Sequence, residues 1–219
     1  MTSWRRSGWI LTAVALGLVC YYLPWFAHKT AGFTMNAYDL AEWSSLHPAT
    51  HASNPPMLTS FLLRLPHILL LFAAGLAANG LRDARLRWVT RAVALLLVLR
   101  FVPPVEFFRS QSADANYRQM MMLTVVGGVL VLTSLAVRPG RIGQGLLAAS
   151  LVISVGTGLW GLSRAGVLLY NFEIDVQIGA GAYGLALFAG LALLLALWPD
   201  RYPAVVDRLG NAQPAANRA

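Results

Sequence analysis

Residues 57–78 read MLTSFLLRLPHILLLFAAGLAA. Arg64 and His67 are the only ionisable side chains in this stretch. As a helix it would run roughly 33 Å, which matches the roughly 30 Å hydrocarbon core of a bilayer. Lipid offers no partner to a free backbone N–H or C=O, so a segment this apolar is expected to be helical. Comparable stretches lie on both sides of it, at about 9–22, 88–102, 120–137, 142–162 and 178–198. Runs such as Val93–Leu99 and Leu185–Leu197 lack the alternation of a barrel strand. The predicted fold is therefore all-α: a polytopic membrane bundle of six transmembrane helices, forming one domain over 1–198. A polar tail, 199–219, follows and is expected to be flexible and cytoplasmic.

Composition supports this class. Hydrophobic residues make up 57% of the 219 and charged residues 12%, against about 25% charged in soluble domains. The net charge of +8 does not predict a nucleic-acid partner, because the arginines sit mainly in short connections between apolar stretches and at the two ends of the chain. Arg5 and Arg6 precede the first stretch. Arg82, Arg85 and Arg87 lie between the second and third, with Arg91 in the first turn of the third, and Arg138 and Arg141 lie between the fourth and fifth. Arg201, Arg208 and Arg218 follow the last. Six crossings put all of these on one side, and basic connections mark the cytoplasmic side. Both termini are then cytoplasmic. The other side receives the longer loops, 26–56, 103–119 and 163–177. It also receives six of the nine acidic residues: Asp39, Glu42, Glu106, Asp114, Glu173 and Asp175.

The first stretch begins like a signal peptide at Trp4-Arg5-Arg6, but no small-x-small cleavage site follows. Val19 before Cys20 makes a poor lipoprotein site. The segment reads as a retained signal-anchor. Cys20 is the only cysteine, which excludes an intramolecular disulfide and a multi-cysteine metal site. Sixteen arginines to one lysine fit a GC-rich bacterial genome and hence a bacterial inner membrane.

In the first long loop, Asn36 is placed to cap a short amphipathic helix that Pro48 stops. Asp39 completes an acidic variant of the capping box. Leu40, Trp43 and Leu46 would form its apolar side, with Trp43 as an interfacial anchor. In the third loop, residues 170–178 alternate polar and apolar like a short strand, for which Phe33–Met35 is the candidate partner. Helix and strand-like segment together would form a small outer cap. Asp39, Glu42, Trp43, Glu173 and Asp175 are the candidate partner or lid surface. His47 and His51 have zinc-ligand spacing, but Pro48 interrupts them and two ligands are too few. Gly179-Ala180-Gly181-Ala182-Tyr183-Gly184 matches G-x-G-x-x-G. An all-round apolar segment follows, so helix packing is the better reading than a dinucleotide site. Gly127-Gly128, Gly143, Gly145, Gly156, Gly158 and Gly161 predict close approach among the last three spans.

Charges at membrane depth are costly and usually face protein or water. Arg64 and His67, one turn apart, Arg100 and Glu106 all fall near the outer ends of their segments. They are expected to form a polar cluster in which Glu106, Asp39, Glu42 or Glu173 neutralises Arg64 and Arg100. His67 is the sole position suited to axial ligation of a haem or pigment; no other cofactor is indicated. The functional expectation is a non-enzymatic accessory or scaffold subunit of a larger membrane assembly, in contact with the bilayer and with other membrane subunits. The alternatives are a transporter of small solutes or lipids, and an enzyme using outer-face histidines and carboxylates.

Overall fold

The computed structural model describes residues 3–28 and 32–198. Lys29, Arg201, Arg208, Arg218 and the tail 199–219 lie outside the described residues. The fold is mostly helical with one small sheet. Its elements are α1 (Ser3–Tyr21), β1 (Phe26–His28), β2 (Thr34–Met35), α2 (Ala37–Leu46), α3 (Pro48–His51) and α4 (Leu58–Ala78). They continue with α5 (Ala84–Val98), a 3-10 turn (Leu99–Phe101), α6 (Val105–Arg109), α7 (Ala115–Thr133), α8 (Arg141–Tyr170), β3 (Val176–Ile178) and α9 (Ala180–Leu197).

The stretch that decides the fold is also its centre. α4 packs against α1, α2, α5, α7 and α8, and residues from Thr59 to Ala78 are buried on nearly every side. A helix that is apolar all round must be covered all round, by protein or lipid. α4 is covered by protein. α8 buries one stripe, from Leu147 through Leu151, Ser154, Gly158 and Leu162 to Leu169. It turns Val152, Ile153, Trp160 and Val167 outward. α9 buries Gly181, Leu185, Ala189, Ala192 and Ala196 and exposes Leu187, Leu191 and Leu194. Apolar outer faces of this extent belong in lipid or against other proteins.

Three helices are long and apolar enough to cross a membrane: α4, α8 and α9. The other three apolar stretches also fold as helices, but six crossings do not follow from length and composition. α1 begins at Trp4-Arg5-Arg6, α5 has 15 residues including Arg85, Arg87 and Arg91, and α7 opens with Asn116, Tyr117, Arg118 and Gln119. α8 is longer than the predicted fifth stretch. It continues to Tyr170, through half of what reads as a loop.

The long helices alternate in direction. Arg6 Nη1 donates to Trp198 O at 2.7 Å, so α1 starts where α9 ends. At the same end, Asn79 Nδ2 donates to Ser134 O and Val137 O at 2.7 and 2.8 Å, and its Oδ1 accepts from Arg91 Nη2. This one amide ties the last turn of α4 to α5 and to the α7–α8 turn. It satisfies carbonyls that a helix end leaves open.

The opposite end carries the cap, and the cap and the helix packing differ in three respects from the expectation. First, β3 pairs with Phe26–His28 rather than with Phe33–Met35. β1 is the central strand, antiparallel to both neighbours in the order β2-β1-β3. The segment after α1 leaves in extended form because Pro24 bars the helix from continuing. Gly179 N and Gly181 N then donate to Trp25 O and Pro24 O, both at 2.8 Å. Gly181 lies so close to the Leu23 and Cys20 carbonyls that a β-carbon has no room, which is the use made of the G-x-G segment. Second, α2 is capped as predicted: Asn36 Oδ1 accepts from Asp39 N at 2.9 Å. Its buried face, however, is Ala37, Leu40, Ala41, Ser44 and Ser45, while Leu46 is exposed. Small side chains let α2 lie flat on α4, which rotates Trp43 and Leu46 off the buried face. Third, Gly127 faces Ile68 and Val98, and Gly158 and Gly161 face Pro66, Trp25 and Leu63. These glycines bring α7 and α8 onto α4, rather than drawing the last three spans onto each other.

Candidate functional site: a polar cluster beneath the cap

Arg64 is completely buried. α4 needs no charge there for its own sake, so what surrounds the guanidinium must neutralise it. Nη2 donates to Glu42 Oε1 at 2.7 Å and Nη1 to Gln119 Oε1 at 2.9 Å. Gln119 Nε2 in turn donates to Met57 O at 3.0 Å. Ser60 Oγ lies within hydrogen-bond distance of both Met57 O and Gln119 Oε1. Met57 stands at φ 62°, a left-handed conformation that a branchless but non-glycine residue adopts at a cost of about 1–2 kcal/mol. Its carbonyl, shared by Gln119, Ser60 and Phe61 N, holds the turn that starts α4. The cluster therefore ties α2, α4 and α7 together through one arginine.

The Glu42 carboxylate also acts on Tyr38, one turn earlier on α2. Burial, and next the Glu42 carboxylate, push the Tyr38 phenol above its ordinary value of 10.0, against the opposing pull of Arg100 and Arg64. The sign follows from linkage. A phenol whose folded-state pKa is raised contributes stability in full below the unfolded value near 10, and that contribution is lost as pH rises through the folded value. Difference absorbance between the wild type and Tyr38→Phe is expected to place the Tyr38 phenolate transition above pH 10. A transition at or below 10 would show that burial and the Glu42 carboxylate do not act on this phenol.

Arg100 does not join the ion pair. Its guanidinium lies 4.7 Å from the centre of the Tyr38 ring, a cation–π distance, and the same ring packs on Phe101. Glu106 stands exposed on α6 and forms no ion pair with either arginine among the described residues. The predicted role of Glu106 passes to Glu42, because Pro103-Pro104 carries the chain away from the bundle before α6 begins. Asp39 is occupied in the α2 cap, where it accepts from Asn36 Nδ2 at 2.7 Å. Glu173 stands at φ 58° in the turn after α8, and Asp175 follows just before β3.

His67 is fully buried, between the rings of Tyr21, Tyr22 and Phe101. Nε2 lies 3.2 Å from Leu97 O and Nδ1 lies 3.3 Å from Tyr22 Oη. A carbonyl can only accept, so Nε2 carries the proton and Nδ1 accepts from the tyrosine hydroxyl. Both nitrogens are engaged, and axial ligation of a haem or pigment would have to break one of these bonds. His47 Nδ1 accepts from Ala49 N at 3.0 Å and caps α3. Among the described residues no three His, Cys, Asp or Glu side chains converge on a metal position. Trp43 packs with His47 and Phe172, which fastens α2 to the turn leaving α8.

Sequence reasoning placed Arg64 and His67 here and included Glu42 among the carboxylates. It missed Gln119, Ser60, Tyr38 and Tyr22. Gln119 was legible as a polar residue four positions before the buried Leu123 and eight before the packed Gly127. Within the cluster, Arg64 Nε and Tyr21 Oη are buried without a hydrogen-bond partner, each at a cost of about 1–3 kcal/mol. The arrangement is a charged clasp among three helices, with aromatic rings closing over it. Comparison with family models, with curated proteins and with solved structures gives no match to this chain.

Proposed function

We propose that this protein is a non-enzymatic accessory or scaffold subunit of a larger assembly in a bacterial inner membrane. In this reading α1, α5 and α7 cross the bilayer with α4, α8 and α9, and both termini are cytoplasmic. The observation that carries the proposal is the clasp at Arg64. Its charge is spent on joining α2, α4 and α7 rather than offered to a ligand. A second support is the surface of α5 and α7, which bury only Ala94 and Val98, and Met120, Leu123, Gly127 and Val131 with Asn116. Trp88, Val93, Leu96, Val125, Val129 and Leu132 are left exposed for lipid or neighbouring subunits. The arginines shared by one end of the bundle support the cytoplasmic assignment of that end.

Purification from native membranes in a mild detergent, followed by mass spectrometry, tests the reading. Other chains at fixed stoichiometry are the expected result. A solitary protein that moves a solute or lipid across reconstituted vesicles would replace this reading with that of a transporter.

A further inference from the structure

Two cavities on the outside of the bundle meet at Leu11. The first, about 750 Å³, opens at the arginine-rich end between the start of α1 and the α4–α5 turn; Trp4, Arg5, Trp9, Arg82 and Asp83 help to line it. The second, about 240 Å³, continues along α1 between α4 and α5, lined by Val14, Ala15, Leu18, Leu71, Ala74 and Leu97 among others. The pair thus has a polar, aromatic mouth and an apolar slot. From Arg5 to Leu18 the rise along α1 is about 20 Å. Half of a hydrocarbon core is about 15 Å, so the feature runs from headgroup level to the bilayer midplane: the depth of one leaflet. The slot is too small for a helix of about 10–12 Å diameter. At the mouth, Arg5 lies over the Trp4 ring, and Asp83 accepts from Arg85 N as the cap of α5. The mouth therefore offers two cations and a single carboxylate that already serves the backbone. Tryptophan pairs at this depth suit a headgroup interface.

We infer that this groove is a specific site for an anionic glycerophospholipid of the inner leaflet. Its phosphate lies between Arg5 and Arg82, and one acyl chain lies in the slot between α1, α4 and α5. The inference rests on α1 and α5 crossing the membrane, as in the proposed function.

The test uses the full chain in phosphatidylcholine vesicles carrying a trace of photoactivatable phosphatidylglycerol or, separately, photoactivatable phosphatidylcholine, each with its reactive group on an acyl chain. Labelled peptides are mapped by mass spectrometry. The glycerol lipid is expected to label residues 70–74 and 89–97 about ten-fold more than the choline lipid. Arg5→Gln with Arg82→Gln should abolish that preference, and Ala15→Phe should block labelling of the slot with the arginines intact. Both substituted arginines are exposed, and Arg6, Arg85, Arg87, Arg91, Arg138 and Arg141 remain to hold the topology. Equal labelling by the two lipids would overturn the site and leave ordinary lipid contact. An unlabelled groove beside labelled Leu187, Leu191 and Leu194 on α9 would also overturn it, and would mean that protein fills the slot. No labelling anywhere, α9 included, would overturn the membrane reading itself.

Discussion

Replacing Glu42 by glutamine is expected to destabilise the folded protein by about 3 kcal/mol. Arg64 has no access to solvent and Glu42 is its ion-pair partner. Removing the carboxylate charge leaves a guanidinium in the interior with only the Gln119 amide oxygen and a neutral side chain to face. Loss of one partner from a fully buried pair costs about 3–5 kcal/mol. The Glu42 side chain keeps 34% of its exposure, so water reaches part of the site and the lower end applies. The double variant Glu42→Leu with Arg64→Met should be far closer to the wild type. It removes both desolvated charges together and leaves a volume that α2 and α4 can pack. Unfolding of the purified protein in mixed micelles, followed by circular dichroism, measures both. A Glu42→Gln variant as stable as the wild type would show that the pair contributes nothing and that Gln119 alone holds the arginine.

Gly161→Ala is expected to cost about 1–3 kcal/mol through overpacking, even though alanine is the better helix former by about 1 kcal/mol. A β-carbon at 161 would stand 3.0 Å from Leu63 N and 2.9 Å from Leu63 Cγ. Leu63 is itself fully buried, and a backbone nitrogen inside α4 cannot swing aside. The two helices must separate along the closest part of their contact. Gly156→Ala supplies the opposite sign: nothing lies within 4 Å of its added carbon, so only the propensity gain remains. If both substitutions stabilise the protein in the same unfolding assay, the close α4–α8 approach is not what holds α8 in place.

These two positions show where sequence reasoning reaches and where it stops. Gly161 was legible as a small residue in an apolar helix, which favours close packing. That its neighbour is α4, and not α7 or α9, depends on which helix becomes central. Arg64 was legible as a costly charge needing a carboxylate, but four acidic residues competed for it. The choice of Glu42 depends on α2 lying flat on α4 along its alanines and serines. The same rotation takes Leu46 out of the interior, against the simplest apolar periodicity. Gln119 drew no attention because an amide at the start of an apolar stretch looks like an ordinary boundary residue. It becomes a partner only when α7 is set beside α4. β3 was legible as a strand from its alternation, yet its pairing required Phe26–His28, a segment that reads as the start of the first long loop.

What the sequence determined by itself is the helical class, the apolar stretches, the Asn36 cap and the concentration of most arginines in the short connections and at the ends. Each follows from local terms: transfer of apolar side chains, backbone satisfaction without water, and capping by a neighbour in the chain. What only the tertiary structure decided is the α4-centred packing, the partner of Arg64, the engagement of both His67 nitrogens and the central place of β1. Those depend on contacts between residues up to about a hundred and fifty positions apart, such as Phe26 with Ile178. Several pairings satisfy the same local chemistry equally well, and steric fit among the assembled helices selects one of them.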